Sequence, residues 1–414
     1  MHLKLKDLSI TLPHKPTATL RISALFPGTS SPDFADSSSP DIAALPPSST
    51  LLVFLNGLIL PRSSWTECIS RFLRIRDSHR RRSFESVSVP GSMSDNGIHL
   101  HLPLRAHENE IPKIPNILTY DRYGQGSSDP DPSDPDPSDP PPDPNTNDTT
   151  TTTPYGHTPL DVITDLHQLL LLVSRQFLYR NLQELDVVMV ANSIGCPLAR
   201  LFNVHFHSSV RVLGYLFLDS MMANSDFVSV FPDPDSPGFV RERDLKEGVH
   251  VSEEELRWAR KMMRERFHPS VGNGERLDRR GLRGLLPGSD WPKLRLPVYD
   301  QDQTKWTESG TTTRKQITTR PKVIVIGHDW DVFADQNEKG PMSIPKAVIN
   351  GYMNPAWQRY NEGLTRLAAV DGDGDDDNNV VPVKIARGCG HFIQKDDPEL
   401  VAREVDSLLR RLGL

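Results

Sequence analysis

Short runs of apolar residues, separated by polar and proline-rich stretches, are the dominant pattern along this chain. Most of the later runs are apolar at every position rather than at alternate ones, which is typical of parallel strands covered on both faces. Each run has the length of a strand, so the pattern predicts a sheet of about eight strands. The predicted strands are residues 3–12, 18–24, 50–55, 116–120, 185–190, 210–218, 322–326 and 380–385.

Helices are predicted between these strands, where apolar residues recur near the helical period. The helix candidates are residues 158–182, 197–207, 354–369 and 398–412. Strands that alternate with helices indicate an α/β protein with right-handed crossovers. We therefore expect a mostly parallel sheet flanked by helices, built from residues 1–222 and 321–414.

Four segments of biased composition interrupt this pattern and are predicted to be disordered, since their prolines and charges leave little to bury. They are residues 27–49, 76–112, 129–154 and 371–379, and residues 301–319 are expected to be a further short example. Residues 223–320 lie between two predicted strands and contain a helix candidate, in which Ser252 and Glu255 have the spacing of a capping box. This region is predicted to be an inserted helical cap over the carboxyl edge of the sheet, where α/β proteins bind ligands.

Composition and charge narrow the possible function classes. The formal charge is −7, but eleven aspartates lie in two tracts, residues 129–143 and 371–377, that hold no lysine or arginine. The remainder is close to neutral, so nothing favours nucleic-acid binding. Three cysteines without a Cys-x-x-Cys pair argue against a zinc site or a disulfide framework. Without a signal-like leader or an 18-residue apolar run, the sequence predicts a cytoplasmic protein with no membrane span.

The sequence Ala191-Asn192-Ser193-Ile194-Gly195 follows an apolar strand and precedes a predicted helix. A serine at such a tight turn needs small residues two positions before and after it, and alanine and glycine meet that need. The turn would expose the hydroxyl beside N–H groups of the helix start, which favour negative charge. Ser193 is therefore a candidate nucleophile, although a serine in an ordinary strand-to-helix turn has the same pattern.

A second candidate is His391, which lies in the sequence Gly388-Cys389-Gly390-His391-Phe392. The segment falls after the last predicted strand and before the last helix, where packing gives no reason for a histidine. A serine hydroxyl is a poor nucleophile at neutral pH and needs a general base. His391 fits that role, and the neighbouring Cys389 is interpreted as a small packed residue.

With these two motifs the chain resembles the α/β-hydrolase family over about residues 3–412. Five motifs carry this resemblance and follow one another in the order that the family has. They are residues 54–58, 120–127, the serine turn, 325–331 and 388–392, of which 120–127 is interpreted as structural. The first is similar to the family's His-Gly oxyanion loop, with Asn56 where histidine is usual. The resemblance implies an oxyanion hole made by the N–H groups of Leu58 and Ile194. It also implies that the serine is the nucleophile and the histidine the base.

Three aspartates are candidates for the acid that would orient the histidine. The family commonly places it three residues after a glycine, and Trp330 occupies that position here. We favour Asp331, because strand alternation would turn it the same way as Asp329 and it would reach further into the site. Asp329 is one alternative. Asp219, after the sixth predicted strand, is another, since some family members take their acid there; it is also explained as a turn or cap residue.

These residues predict a serine hydrolase that cleaves a carboxylic ester or thioester with an apolar group, through an acyl-enzyme and without a cofactor or metal. One alternative keeps the fold but hydrolyses an amide or carbon–carbon bond, or performs a lyase-like step in secondary metabolism. Another is a non-catalytic binding shell. Ser193 argues against epoxide hydrolase or dehalogenase chemistry, for which the family needs an aspartate. His328 is interpreted as a loop histidine, since no suitably spaced partner supports a metal site.

Overall fold

The computed structural model describes most of the chain, and several of its gaps overlap the biased segments. The described residues are 4–29, 31, 34, 48–87, 113–135, 156–286, 299–306, 312–319, 321–368 and 381–414. The predicted insertion at 371–379, and the larger part of each of the other three, lies outside the described residues.

Ten strands lie within the described residues. They are β1 Lys6–Thr11, β2 Thr19–Leu25, β3 Thr50–Leu55, β4 Asn116–Asp121, β5 Asp186–Asn192, β6 Arg211–Leu218, β7 Tyr299–Trp306, β8 Thr312–Thr319, β9 Lys322–His328 and β10 Lys384–Ala386. Eight of them form one sheet in the order β1-β2-β4-β3-β5-β6-β9-β10. The pairings of β2 with β1 and with β4 are antiparallel, and all other pairings in this sheet are parallel. The predicted fold class is therefore confirmed, with every predicted strand present.

Helices connect the parallel strands. The longer ones are α1 Thr66–Val87, α2 Pro159–Gln176, α3 Gly195–Phe206, α4 Glu253–Arg266, α5 Trp330–Lys339, α6 Asn354–Thr365 and α7 Pro398–Arg411. Shorter helical turns are Arg62–Trp65, Leu182–Glu184, Arg241–Asp244, Leu282–Leu285, Lys346–Val348, Ile349–Met353, Arg366–Ala368 and Ile393–Asp396. Within the described ranges, no helix combines the length and the apolar character needed to cross a membrane.

Both faces of the sheet are covered by apolar side chains. In β5, Val187 and Met189 belong to the core on one face, which includes residues of α2 and α3, and Val188 and Val190 to the core on the other, which includes residues of α1 and α7. Successive side chains of a strand point to opposite faces. A strand buried on both sides therefore needs the continuous apolar run that the sequence has.

Two of the predicted insertions begin with ordered structure. The helix α1 continues through residue 87, and its buried Arg76 pairs with Asp406 of α7 at 3.1 Å. At the start of the Asp-Pro tract, Asp131 is buried and accepts a hydrogen bond from the ammonium of Lys15 at 2.5 Å. The prediction of disorder does not hold for residues 76–87 or 129–135, because partners distant in sequence compensate these buried charges.

The inserted region, residues 223–320, is not purely helical. Ser252 and Glu255 make both hydrogen bonds of the predicted capping box at the start of α4. The strands β7 and β8 pair with each other in an antiparallel hairpin that is separate from the main sheet. This hairpin replaces the biased loop that was expected at residues 301–319. The residues that lead into it, 287–298, lie outside the described part of the chain.

Candidate active site

Ser193 occupies the turn between β5 and α3. Its φ of +54° lies in the left-handed region, which is strained for a residue with a side chain and persists only where the surroundings enforce it. Its N–H donates to the Leu218 carbonyl at 3.2 Å, and its carbonyl accepts from the Met221 N–H at 3.2 Å. The backbone on either side of this buried serine is thus fixed by the end of β6.

Two glycines allow the neighbouring backbone to approach this turn. A Cβ at Gly195 would lie 2.7 Å from the Leu55 carbonyl oxygen. A Cβ at Gly57 would lie 2.9 Å from Asn192 Oδ1 and 3.3 Å from Ser193 Cβ. The shortest distance at each glycine leaves no room for a Cβ, so the loop after β3 lies directly against the serine turn.

The two predicted oxyanion donors lie on the segments that meet at this contact. Leu58 follows Gly57, and Ile194 follows Ser193. In the part of the chain that the structure describes, neither backbone N–H donates to a protein acceptor. Buried N–H groups normally have a partner, and Ile194 is completely buried. These two N–H groups are therefore available to a ligand oxygen.

Polar side chains fix the carbonyl groups of the loop after β3. Arg122 donates to the carbonyls of Asn56 and Gly57 at 2.8 and 2.9 Å, and Gln125 donates to the Gly57 carbonyl at 2.7 Å. The buried guanidinium of Arg122 also donates to both carboxylate oxygens of Glu275, in the inserted region, at 2.9 and 3.0 Å. The sequence motif that carries Arg122 and Gln125 therefore orients the peptide groups beside the serine.

His391 lies in the loop between β10 and α7. Its Nδ1 donates to Asp219 Oδ2 at 2.6 Å. Its carbonyl accepts from the Asn192 side chain at 3.2 Å, which fastens the histidine loop to the residue before Ser193. With Nδ1 donating to a carboxylate, Nε2 is the ring nitrogen left to accept a proton.

Asp219 follows β6, is completely buried and has a φ of +43°. Besides His391 it contacts His328, whose Nδ1 lies 2.8 and 2.9 Å from the two carboxylate oxygens. Burial by itself would raise the pKa of Asp219, but the charge and hydrogen bonds of His328 and His391 hold that pKa well below its usual range. Of the three candidate acids, Asp219 is the one that contacts His391.

The structure does not bring Asp331, the favoured acid, to His391. The strand β9 ends at His328 and the helix α5 begins at Trp330, so strand alternation stops before Asp331. The Asp331 side chain is 76% exposed and pairs with Lys346 at 3.1 Å. The expectation was wrong about its position because it extended the period of a strand across the start of a helix.

Asp329, the second candidate, caps α5 and accepts from the Asp331 N–H at 3.0 Å. Its other oxygen accepts from the Gly388 N–H at 3.1 Å, and this hydrogen bond is the main reason that its pKa is lowered. Asp329 therefore holds the loop that carries His391 rather than the imidazole itself.

His328 is the residue of the site that the sequence analysis missed. It is buried at the end of β9 rather than in a loop. The ring of Trp357 contacts both imidazoles, His328 and His391, with centroids 5.4 Å apart in each case. The available signal was a histidine ending an apolar strand, next to the strand that ends before Asp219.

Within the described residues, no group of three His, Cys, Asp or Glu side chains could hold a metal ion. Cys389, two residues before His391, is buried, and burial raises the pKa of its thiol to about 11. A thiol with that pKa is protonated at neutral pH and is not an activated nucleophile.

Comparison with known proteins agrees with this architecture. The family model described as the alpha/beta hydrolase family matches residues 52–404. A search of curated proteins gave no match. Similar solved structures include an epoxide hydrolase from Vigna radiata, which is 10% identical with 99% of each chain covered and a TM-score of 0.40. Another is a putative hydrolase from Agrobacterium vitis, 10% identical over 98% of this chain and 99% of that one, with a TM-score of 0.40.

The layered α/β fold and a family model that matches most of the chain lead to one conclusion. The chain belongs to the alpha/beta hydrolase family.

Proposed function

We propose that this protein is a serine hydrolase that cleaves a carboxylic ester or thioester. Ser193 attacks the carbonyl carbon while His391 Nε2 takes its proton, and Asp219 holds the imidazole and stabilises its charge. The N–H groups of Leu58 and Ile194 bind the oxyanion. His391 then returns the proton to the leaving group and activates the water that releases the acyl group.

The hydrogen bond of 2.6 Å between His391 Nδ1 and Asp219 carries this proposal. It joins an imidazole fastened to the serine turn to a buried, ionised carboxylate. An ordinary turn would not need that arrangement, because a fully buried carboxylate is costly unless it is paired. The strained backbone at both Ser193 and Asp219 supports the same interpretation.

An apolar substrate group is part of the proposal because several apolar residues lie beside the proposed catalytic groups. Met221 donates its N–H to the Ser193 carbonyl, Trp357 packs on His391, and Ile59, next to Leu58, is 70% exposed. Apolar side chains with a few convergent polar groups are the usual lining of a small-molecule site.

The test is labelling by a fluorophosphonate probe together with turnover of p-nitrophenyl esters of increasing chain length. The Ser193→Ala protein should lose both labelling and turnover. A matched control is Ser209→Ala, which removes a hydroxyl bound to the Phe206 carbonyl at the other end of β6 and should keep both. Labelling without ester turnover would instead favour amide or carbon–carbon bond hydrolysis. If the probe did not label the folded protein, the role of Ser193 as nucleophile would be contradicted. The remaining hypothesis would be a non-catalytic binding protein with the same fold.

A further inference from the structure

His328 has hydrogen-bond acceptors on both sides of its ring. Nδ1 faces the two oxygens of Asp219 at 2.8 and 2.9 Å, and Nε2 lies 3.0 Å from Oδ1 of Asn354. A neutral imidazole carries one proton and would leave one of its nitrogens facing an acceptor without a hydrogen between them. The contacts of Asn354 decide whether its oxygen is the atom that faces the ring.

The orientation of the Asn354 amide is fixed by its other contacts. Its nitrogen donates to the Trp330 carbonyl at 3.1 Å and to Asn350 Oδ1 at 2.6 Å. Turning the amide over would place an oxygen against two other oxygens. The Asn350 amide has the matching orientation, since its nitrogen faces Asp331 Oδ1 at 3.5 Å. Asn354 therefore presents its oxygen to His328.

We infer that His328 is held as an imidazolium, with a proton on both ring nitrogens, and acts as a positioning residue for Asp219. Its charge compensates the buried carboxylate, and its Nδ1–H engages both carboxylate oxygens. Because His391 Nδ1 also donates to Asp219 Oδ2, the carboxylate cannot rotate without losing hydrogen bonds.

The other groups around His328 favour the charged ring. Asp329, the next residue, adds a negative charge, and the aromatic rings of Phe333 and Trp357 pack beside the imidazole. The second imidazole, His391, lies across Asp219. Burial by itself would lower the pKa of His328, but the charge and hydrogen bond of Asp219 raise it above its ordinary value.

The protonation state is tested directly by nitrogen NMR of the protein with labelled histidines. The resonances of His328 are assigned by their loss in the His328→Gln variant. At about pH 8, above the ordinary histidine pKa of about 6.5, both ring nitrogens of His328 should be protonated. An unprotonated nitrogen at that pH would overturn the inference. This measurement does not depend on any activity.

The positioning role rests on the proposed function and is tested by kinetics. His328→Gln and Asn354→Leu, which removes the acceptor of Nε2, should each lower kcat by about 10²-fold with little change in KM, since the acid is misplaced while the substrate site is kept. The control is His167→Gln, on α2, which should retain full activity. Normal kcat in both site variants would overturn the role.

Failure of the proposed function can be distinguished from failure of the inference about His328. If Ser193→Ala keeps its activity, the proposed function fails while the NMR result still decides the charge of His328. If His328→Gln does not fold, the labelled wild-type protein compared with Asn354→Leu decides instead, because loss of the Nε2 proton is expected in that variant.

Discussion

The ends of β6 and β9 lie side by side at one edge of the sheet, yet the aspartates that follow them differ in burial and in contacts. After β6 the chain turns sharply at Asp219, which is completely buried between two imidazoles. After β9 the chain enters a helix, where Asp329 caps the first turn and Asp331 faces solvent. Of the three carboxylates that follow these neighbouring parallel strands, one is buried, one is half-buried as a helix cap and one is exposed.

This difference shows that the role of an acid at a strand end is set by the backbone that follows it. A helix start offers N–H groups, which hold a carboxylate at the surface as a cap. A tight turn offers none of these, so the carboxylate needs hydrogen-bond donors from elsewhere, and the imidazoles of His328 and His391 provide them. The four predictions below test whether the aspartates after β6 and after β9 have these different roles.

The largest effect is expected for Asp219→Asn. An amide would fix the wrong tautomer of His391 and could not stabilise its charge, so kcat should fall by about 10⁴-fold. Ester turnover at substrate saturation measures this. If this variant kept its turnover and Asp331→Asn lost it, the acid that orients His391 would be Asp331, after β9, and not Asp219.

The same substitution should destabilise the fold in a pH-dependent way. Breaking a buried ion pair typically costs about 3–5 kcal/mol. The lowered pKa of Asp219 contributes stability above about pH 4, the unfolded value, that is lost as the pH falls through the folded value. The raised pKa of His328 contributes stability below about pH 6.5 that is lost as the pH rises through the folded value.

The loss of stability in Asp219→Asn should therefore be greatest between about pH 4 and 6.5. Urea unfolding of both proteins across this range measures it. A difference in unfolding free energy that does not vary with pH would contradict the ion pair with His328.

Asp329→Ala should have a smaller effect, because this side chain caps a helix. Removing an N-cap costs about 1 kcal/mol of stability, and the Gly388 N–H also loses its acceptor. Activity should fall only a few-fold, since His391 keeps its contact with Asp219. Thermal unfolding and turnover measured on one preparation test both expectations, and a loss as large as that of Asp219→Asn would refute them.

Asp331→Asn should have the smallest effect. The side chain is exposed and its ion pair with Lys346 is solvated, so stability should change by less than about 0.5 kcal/mol. Activity should stay within about twofold of the wild type, because no step of the proposed mechanism uses this group. A marked loss of turnover would mean that the chain through Asn350 and Asn354 transmits the charge of Asp331 to the site.

The sheet could be predicted from the sequence because a strand buried on both faces leaves a continuous apolar run, as in β5. The hairpin of β7 and β8 could not, because its sequence offers no comparable run of apolar residues. The ordered starts of two insertions were missed for a different reason. Arg76 and Asp131 are buried against ions more than a hundred residues away in sequence, Asp406 and Lys15.

Local motifs made part of the site predictable. The spacing around Ser193 and the glycines around His391 are properties of single turns, and both turns are where the sequence places them. The contacts that define Asp219 are not local, since its partners come from β9 and from the loop after β10. His328 was interpreted as a loop residue for the same reason.

The ion pair between Arg122 and Glu275 limits how this protein can be re-engineered. The inserted region has the sequence boundaries of an exchangeable module, and a chimera that replaced it would be the natural way to change substrate range. A replacement without a carboxylate at the position of Glu275 would leave the buried guanidinium of Arg122, which supports the loop after β3, without its counter-charge. A change in the inserted region would therefore also change the support of the loop after β3.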